Sequence, residues 1–192
     1  ELPNRNQLSE EPSRTLQEVE GETFFDGVSL EKIANEVGTP TYIYSAKSFN
    51  KQFRELEKAF KGVDSKIFYS VKANSNVNII SLFNQLDSGF DIVSGGELHR
   101  VIAAGAAPQA IIFSGVGKSV SEIDLALKTG IDCFNIESAP ELDRIIERSR
   151  VLGKKPNISV RINPDIDALT HPYISTGLKE NKFGVDRVSA LK

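Results

Sequence analysis

The sequence predicts an α/β protein of the (β/α)8-barrel (TIM-barrel) class, incomplete in this chain at about five β-α units. Three observations point there. Apolar runs KIFYSV, GFDIV, AIIFSG, DCFNI and NISVRI begin near residues 66, 89, 110, 132 and 157. Helical patterns lie between them, and a polar residue closes each run. The runs are nearly continuous in apolar residues, as parallel strands covered on both faces require. A doubly wound sheet is the competing architecture, but it places a G-x-G-x-x-G turn after its first strand. Here that turn reads Lys-Ala-Asn-Ser-Asn. A barrel instead gathers reactive groups at the C-terminal ends of many strands, and those ends carry Lys72, Asp91, Ser114, Glu137 and Arg161. Five units do not close eight strands, so the chain is expected to be part of a longer one.

Each element has its own signal. Residues 1 to 22 are polar and acidic, with Glu1, Glu10, Glu11, Glu18, Glu20 and Glu22 against Arg5 and Arg14. Little there can be buried, so a poorly ordered head is expected. SLEKIANEVG predicts a short helix with Ser29 as N-cap, Leu30, Ile33 and Val37 on the apolar face and Gly38 as its stop. TYIYS predicts a strand. After Ser45, the recurrence of Phe49, Phe53, Leu56 and Phe60 predicts a long amphipathic helix. Two later helices open on capping boxes, Ser119 with Glu122 and Ser138 with Glu141, and Gly105, Gly130 and Gly153 mark helix ends.

Composition narrows the function classes. The 192 residues are 40% hydrophobic and 26% charged, with a formal net charge of −3, which suits a soluble core and argues against a nucleic-acid partner. No apolar run approaches the ~18 residues of a membrane span. The single cysteine, Cys133, excludes an internal disulfide and fits a reducing compartment, with cytoplasm as the default. No basic-then-apolar leader pattern opens the chain.

Lys72 heads the candidates for chemistry. A strand-end lysine ordinarily reaches solvent, but this one follows a strongly apolar run and precedes small residues. Low-dielectric walls at a barrel mouth lower an amine's pKa and make it nucleophilic toward a carbonyl. That suits a Schiff base with a substrate or with pyridoxal phosphate. Asp91 either holds that lysine or cofactor electrostatically or caps the following turn. The SGGE after it brings backbone N–H groups close to a ligand, while Glu97 there is also explained as a first-turn dipole partner. SGVGKS at 114–119 fails the phosphate-loop pattern, because the required leading glycine is Ile112. It reads as a turn at a strand end. Arg161 needs an anionic partner if buried, and Glu137 is also readable as a helix-start acid. His99 and His171 lack metal-ligand spacing, and no metal is expected. Cys133 reads as a core filler rather than a nucleophile. The long polar stretch NPDIDALTHPYISTGLKENKFGV follows the fifth run, where functional barrel loops lie.

Taken in order, FYSVKANSN, GFDIVSGGEL, FSGVGK, CFNIES, RINPDIDA and HPYISTGLKENKFGV resemble the diaminopimelate decarboxylases, in the alanine-racemase-like fold III group of pyridoxal-phosphate enzymes. The resemblance runs from about Phe24 to the end. VKAN is shared across related decarboxylases and racemases, whereas HPYISTGLKENKFG points to the diaminopimelate branch. The resemblance implies that residues 23–192 are the N-terminal part of the barrel. It implies decarboxylation of meso-2,6-diaminopimelate to L-lysine and CO2, with Lys72 carrying pyridoxal 5'-phosphate as a Schiff base. Asp91 and Glu97 then belong to the network around that amine, Arg161 lies near the cofactor ring, and Lys182 approaches a homodimer contact.

The family's ring-stacking histidine, Gly-rich phosphate loop, pyridine-pairing acid and C-terminal β-domain fall beyond Lys192. Activity is therefore expected of the full-length parent and not of this piece. Rival readings are another fold III decarboxylase or racemase, a non-catalytic relative that regulates a partner, and a cofactor-free Schiff-base aldolase.

Overall fold

The computed structural model of the chain describes residues 15–163 and 184–186, and the chain divides into two compact units, residues 1–65 and 66–192. In the first unit, β1 (Leu16–Val19), β2 (Glu22–Phe25) and β3 (Val28–Ser29) form an antiparallel sheet in sequence order. The sequence reading carries the unstructured head to residue 22, whereas Leu16–Val19 pair with Glu22–Phe25. Two tight turns cause this. Glu20-Gly21 and Asp26-Gly27 all take positive φ, the conformation that matches the twist of a two-residue hairpin. Asp-Gly is among the dipeptides most favoured there. The hairpin places little apolar surface inside, which is why hydrophobic patterning did not signal it.

Helix α1 (Leu30–Val37) starts and stops where its sequence says, with the Ser29 hydroxyl accepting from Lys32 N–H and Gly38 at the C-cap. Helix α2 (Ala46–Ala59) is capped by Ser45, whose hydroxyl accepts from Ser48 N–H and donates to Asp26. Phe53 is its buried residue. TYIYS, read as a strand, is irregular: among the described residues no strand pairs with it, and Tyr42 is 88% exposed. Alternating aromatics without a ladder partner leave backbone groups to water.

The second unit holds the repeated β-α pattern. Strands β4 (Phe68–Ser70), β5 (Gly89–Ile92), β6 (Ile111–Phe113), β7 (Cys133–Ile136) and β8 (Asn157–Val160) form one parallel sheet in that order. Between them run α3 (Val77–Gln85), α4 (Gly95–Ala103), α5 (Val120–Thr129) and α6 (Ala139–Leu152). The short β9 (Ile162–Asn163) pairs in parallel with β10 (Val185–Asp186). This is an incomplete α/β barrel, as the five runs predict.

Side-chain alternation along strands gives the sheet two different faces. Phe90, Ile92, Ile111, Phe113, Phe134 and Ile136 are all buried to within 1% and make the core under the helices. The opposite positions, Asp91, Ile112, Cys133 and Asn135, are only half-buried. Packing is close where β4 meets β5: a Cβ added at Gly89 would stand 2.4 Å from the Phe68 ring, its cross-strand partner. Edge strand β8 leaves Ile158 and Val160 exposed at 47% and 40%. Among the described residues, no helix is long and apolar enough to cross a membrane.

Of the two capping boxes read from sequence, one forms. Ser119 and Glu122 bond reciprocally at the start of α5. Glu122 Oε1 also accepts from Gly95 N–H at the start of α4, tying two helix N-termini together. That backbone bond, followed by the Ser119 bonds, holds the Glu122 carboxyl below its ordinary pKa. A depressed folded-state pKa stabilises above the unfolded value near ~4.3 and the contribution is lost as pH falls through the folded value. Glu122→Gln is therefore expected to cost about 0.5–2 kcal/mol at neutral pH. The urea-unfolding gap between variant and parent should be full above the unfolded value and close as pH falls through the depressed folded one; a gap independent of pH would reject the charge as its cause. Ser138 makes no such side-chain cap. Its would-be partner Glu141 is recruited elsewhere.

Candidate functional site

Polar groups from all five strand ends line one cavity of about 490 Å³, within the usual range for small-ligand sites. Its walls are Lys72, Asp91, Val93, Ser114, Gly115, Asn135, Glu137, Ser159 and Arg161. Every strand-end residue picked out by pattern is among them.

Lys72 does not sit on β4 itself. The strand stops at Ser70, and Val71–Ala73 make a single 3-10 turn. Val71 is fully buried and pins the turn from below. Tyr69 stacks on Phe83 at 4.1 Å between centroids, and its hydroxyl donates to Asn74 O at 3.0 Å, closing the turn from the far side. The Lys72 side chain is left exposed at the cavity wall.

Across the floor runs a side-chain chain over three neighbouring strands. Asn135 Nδ2 donates to Ser114 Oγ at 2.8 Å, and Ser114 donates on to Asp91 Oδ1. Asp91 thus has one oxygen engaged and its carboxylate oriented. Its other reading, as a turn cap, has no support, because Ser94 caps α4.

Glu137 is the anionic hub. The residue is 4% exposed, and its carboxylate accepts from Arg161 Nη1 at 3.1 and 3.3 Å, from Gly115 N–H at 3.3 Å and from Gly184 N–H at 3.1 Å. This is more than a helix-start acid. The paired Arg161 side chain remains 43% exposed, with its head on the cavity. Charge pairing here is partly desolvated, so breaking it costs more than at an open surface.

Glu97 is the predicted site residue that the cavity does not include. Its Oε2 accepts from Val93 N–H at 2.8 Å, and its own N–H bonds Ser94 Oγ at 3.2 Å, so it serves the N-terminus of α4. His99 is exposed on α4. Cys133 is half-buried in β7, where burial and then the neighbouring Asp132 charge push its thiol pKa up, which disfavours the nucleophilic thiolate. Lys182, His171 and most of the polar stretch after Asn163 lie outside the described residues.

Sequence reasoning missed Asn135, Ser159 and the Lys118–Glu141 pair. Asn135 and Ser159 lie two positions before Glu137 and Arg161 on adjacent strands and are cross-strand partners. Period-2 alternation from the known strand ends could have found them. Nothing in sequence signals that Lys118 and Glu141 meet, since they are 23 residues apart.

The donor set suits an aldehyde-bearing cofactor. A primary amine on an ordered turn shares one concave polar wall with an oriented carboxylate and an oriented guanidinium. Comparison with known proteins agrees. Residues 46–192 match the family model "Pyridoxal-dependent decarboxylase, pyridoxal binding domain". Diaminopimelate decarboxylase of Neisseria meningitidis serogroup B is 52% identical over 88% of this chain and 41% of its own. The Aquifex aeolicus diaminopimelate decarboxylase is 45% identical over 97% of this chain and 44% of its own. A Helicobacter pylori diaminopimelate decarboxylase crystallised with L-lysine superposes with a TM-score of 0.81 at 52% identity, over 84% of this chain and 41% of that one. The chain spans about two fifths of the length of these relatives. The strand-end lysine, the cavity around it and the matched family model lead to one conclusion: the chain belongs to the pyridoxal-dependent decarboxylases, its residues 46–192 matching their pyridoxal-binding domain.

Proposed function

We propose that the full-length parent decarboxylates meso-2,6-diaminopimelate to L-lysine and CO2, using pyridoxal 5'-phosphate held at Lys72. The observation carrying this reading is that Lys72 shares one cavity with the ends of the four following strands. The relatives' common name supports the substrate, and the H. pylori relative's bound L-lysine is the product of that reaction. Pyridoxal phosphate supplies a conjugated ring able to take up the electron pair that CO2 leaves behind.

This chain's own residues bind and orient. Lys72 would hold the cofactor, its amine being the primary amine on this wall able to condense with the cofactor's aldehyde. Glu137 holds the Arg161 guanidinium at the cavity wall, where it would help hold the cofactor. The Asn135–Ser114–Asp91 chain orients a carboxylate on the same cavity wall as the amine. Glu97 acts indirectly, by fixing the first turn of α4. The buried apolar face beneath keeps these groups on a rigid base, which positional catalysis needs. The remaining segments of the parent, a homodimer with Lys182 near its contact, and a cytoplasmic location complete the proposal.

The test is CO2 release from meso-2,6-diaminopimelate by purified parent supplied with pyridoxal phosphate. Stoichiometric L-lysine and CO2 are expected. Cofactor binding without CO2 release would reject the decarboxylase reading and favour a racemase or regulatory relative.

A further inference from the structure

Lys118 lies in the SGVGKS turn between β6 and α5, and its side chain is completely buried. Its ammonium has three N–H donors, and three acceptors surround it: Gly115 O at 2.8 Å, Asn135 O at 2.8 Å and Glu141 Oε1 at 2.6 Å. Glu141, 1% exposed, uses its other oxygen to accept from Glu137 N–H at 2.8 Å. Glu137 Oε1 in turn accepts from Gly115 N–H. The bonds form a closed circuit: Lys118 to Gly115, Gly115 to Glu137, Glu137 to Glu141 and Glu141 back to Lys118. A spur from Lys118 reaches Asn135. Gly115, Asn135 and Glu137 are all cavity-wall residues, while Lys118 and Glu141 are not.

We propose that Lys118 and Glu141 are a positioning pair for the strand-end cavity. They lock the β6 and β7 ends so that the Glu137 carboxylate faces Arg161 and Asn135 reaches Ser114. The proposal rests on the reading of this cavity as the pyridoxal phosphate site. Energetics favour positioning over stability as the pair's role. Two charges taken out of water gain little net stability, and apolar replacements of similar size are often as stable or more so. What apolar side chains cannot do is hold two carbonyls and one N–H from separate segments in fixed register. Supporting groups of this kind, one layer behind the reacting ones, typically change activity or affinity by ~10- to 100-fold when lost. Lys118 also differs sharply from Lys72: its donors are all consumed, so no free amine faces the cavity.

The experiment uses full-length parent, Lys118→Met/Glu141→Leu together, and Glu141→Gln alone. In Glu141→Gln the amide presents a donor to the Glu137 N–H, which breaks the circuit at one point with almost no change of shape. Melting temperature, pyridoxal phosphate affinity of the apo-protein, kcat, KM and amide hydrogen exchange are measured on each. The double variant is expected to melt close to the parent, to lose ~10- to 100-fold in kcat and cofactor affinity, and to exchange faster at the Gly115 and Glu137 amides. Glu141→Gln should move the same quantities in the same direction, and it decides the matter if the double variant does not fold. Folded variants whose kcat, cofactor affinity and amide exchange all stay within about twofold of the parent would overturn the proposal. If the parent itself binds no pyridoxal phosphate, the cavity reading fails. Amide exchange, measured without cofactor, still judges the positioning of Gly115 and Glu137 by itself.

Discussion

Lys72→Ala in the full-length parent is expected to abolish the visible absorbance of bound pyridoxal phosphate and to lower kcat by on the order of 10³-fold or more. The loss should be chemical, not structural. The side chain is exposed, while the turn that carries it is held by fully buried Val71 and by the Tyr69–Asn74 bond. Neither anchor involves the lysine amine. A surface truncation of this kind changes stability by only about ±0.5 kcal/mol, so urea unfolding should hardly move. An added small primary amine should restore part of the turnover, because the missing group is an amine and its pocket remains. Unchanged turnover in the variant would remove Lys72 from the reaction and with it the reason for assigning this cavity.

The second large effect lies beneath the site. Phe113 is fully buried, pairs in register with Phe134 and stacks on it at 6.0 Å, and Lys118 Nζ lies 5.4 Å from its ring. Phe113→Ala removes a ring from the centre of the helix-covered face, where flanking β5 and β7 allow little collapse. The expected cost is about 3–5 kcal/mol, the sum of lost transfer energy and a residual cavity. Denaturant unfolding of the parent should show it as a lower midpoint at nearly constant slope. Phe113→Leu, which refills most of the volume, should recover more than half. A loss under about 1 kcal/mol would mean that the β6 face is not close-packed.

The two predictions separate what was legible in the residues from what was not. The helix-covered face was legible, because Phe90, Phe113 and Phe134 sit in apolar runs at a regular spacing. Ser29 and Ser119 were legible as caps, since a cap is a local device and its partner lies three residues away. Lys72, Asp91, Ser114, Glu137 and Arg161 could be gathered because a parallel sheet puts every strand end on one rim. Glu97 stayed open between two readings for a related reason. A carboxylate at a helix start near the rim satisfies either the site or the helix, and only geometry shows that Val93 N–H claims it. Glu141 looked like half of a capping box with Ser138, yet the nearby buried ammonium of Lys118 offers a stronger partner than an exposed helix end. TYIYS failed because strand pattern is a property of one segment and pairing is a property of two.

Strand order carries a consequence for how the chain is made. In the parallel sheet each strand pairs with the one synthesised just before it, Phe68 with Gly89, Phe90 with Ile111, Ile112 with Cys133 and Cys133 with Asn157. Among the described residues no pairing in this sheet waits for a distant segment, so its loop-closure cost is small for parallel strands. A nascent chain leaving the ribosome can therefore add one strand and helix at a time to a growing wall. Lys72, on the first strand's turn, is emplaced before any other wall of its cavity exists. The amine proposed to react comes first in synthesis, and the other cavity-wall groups arrive afterwards, in rim order.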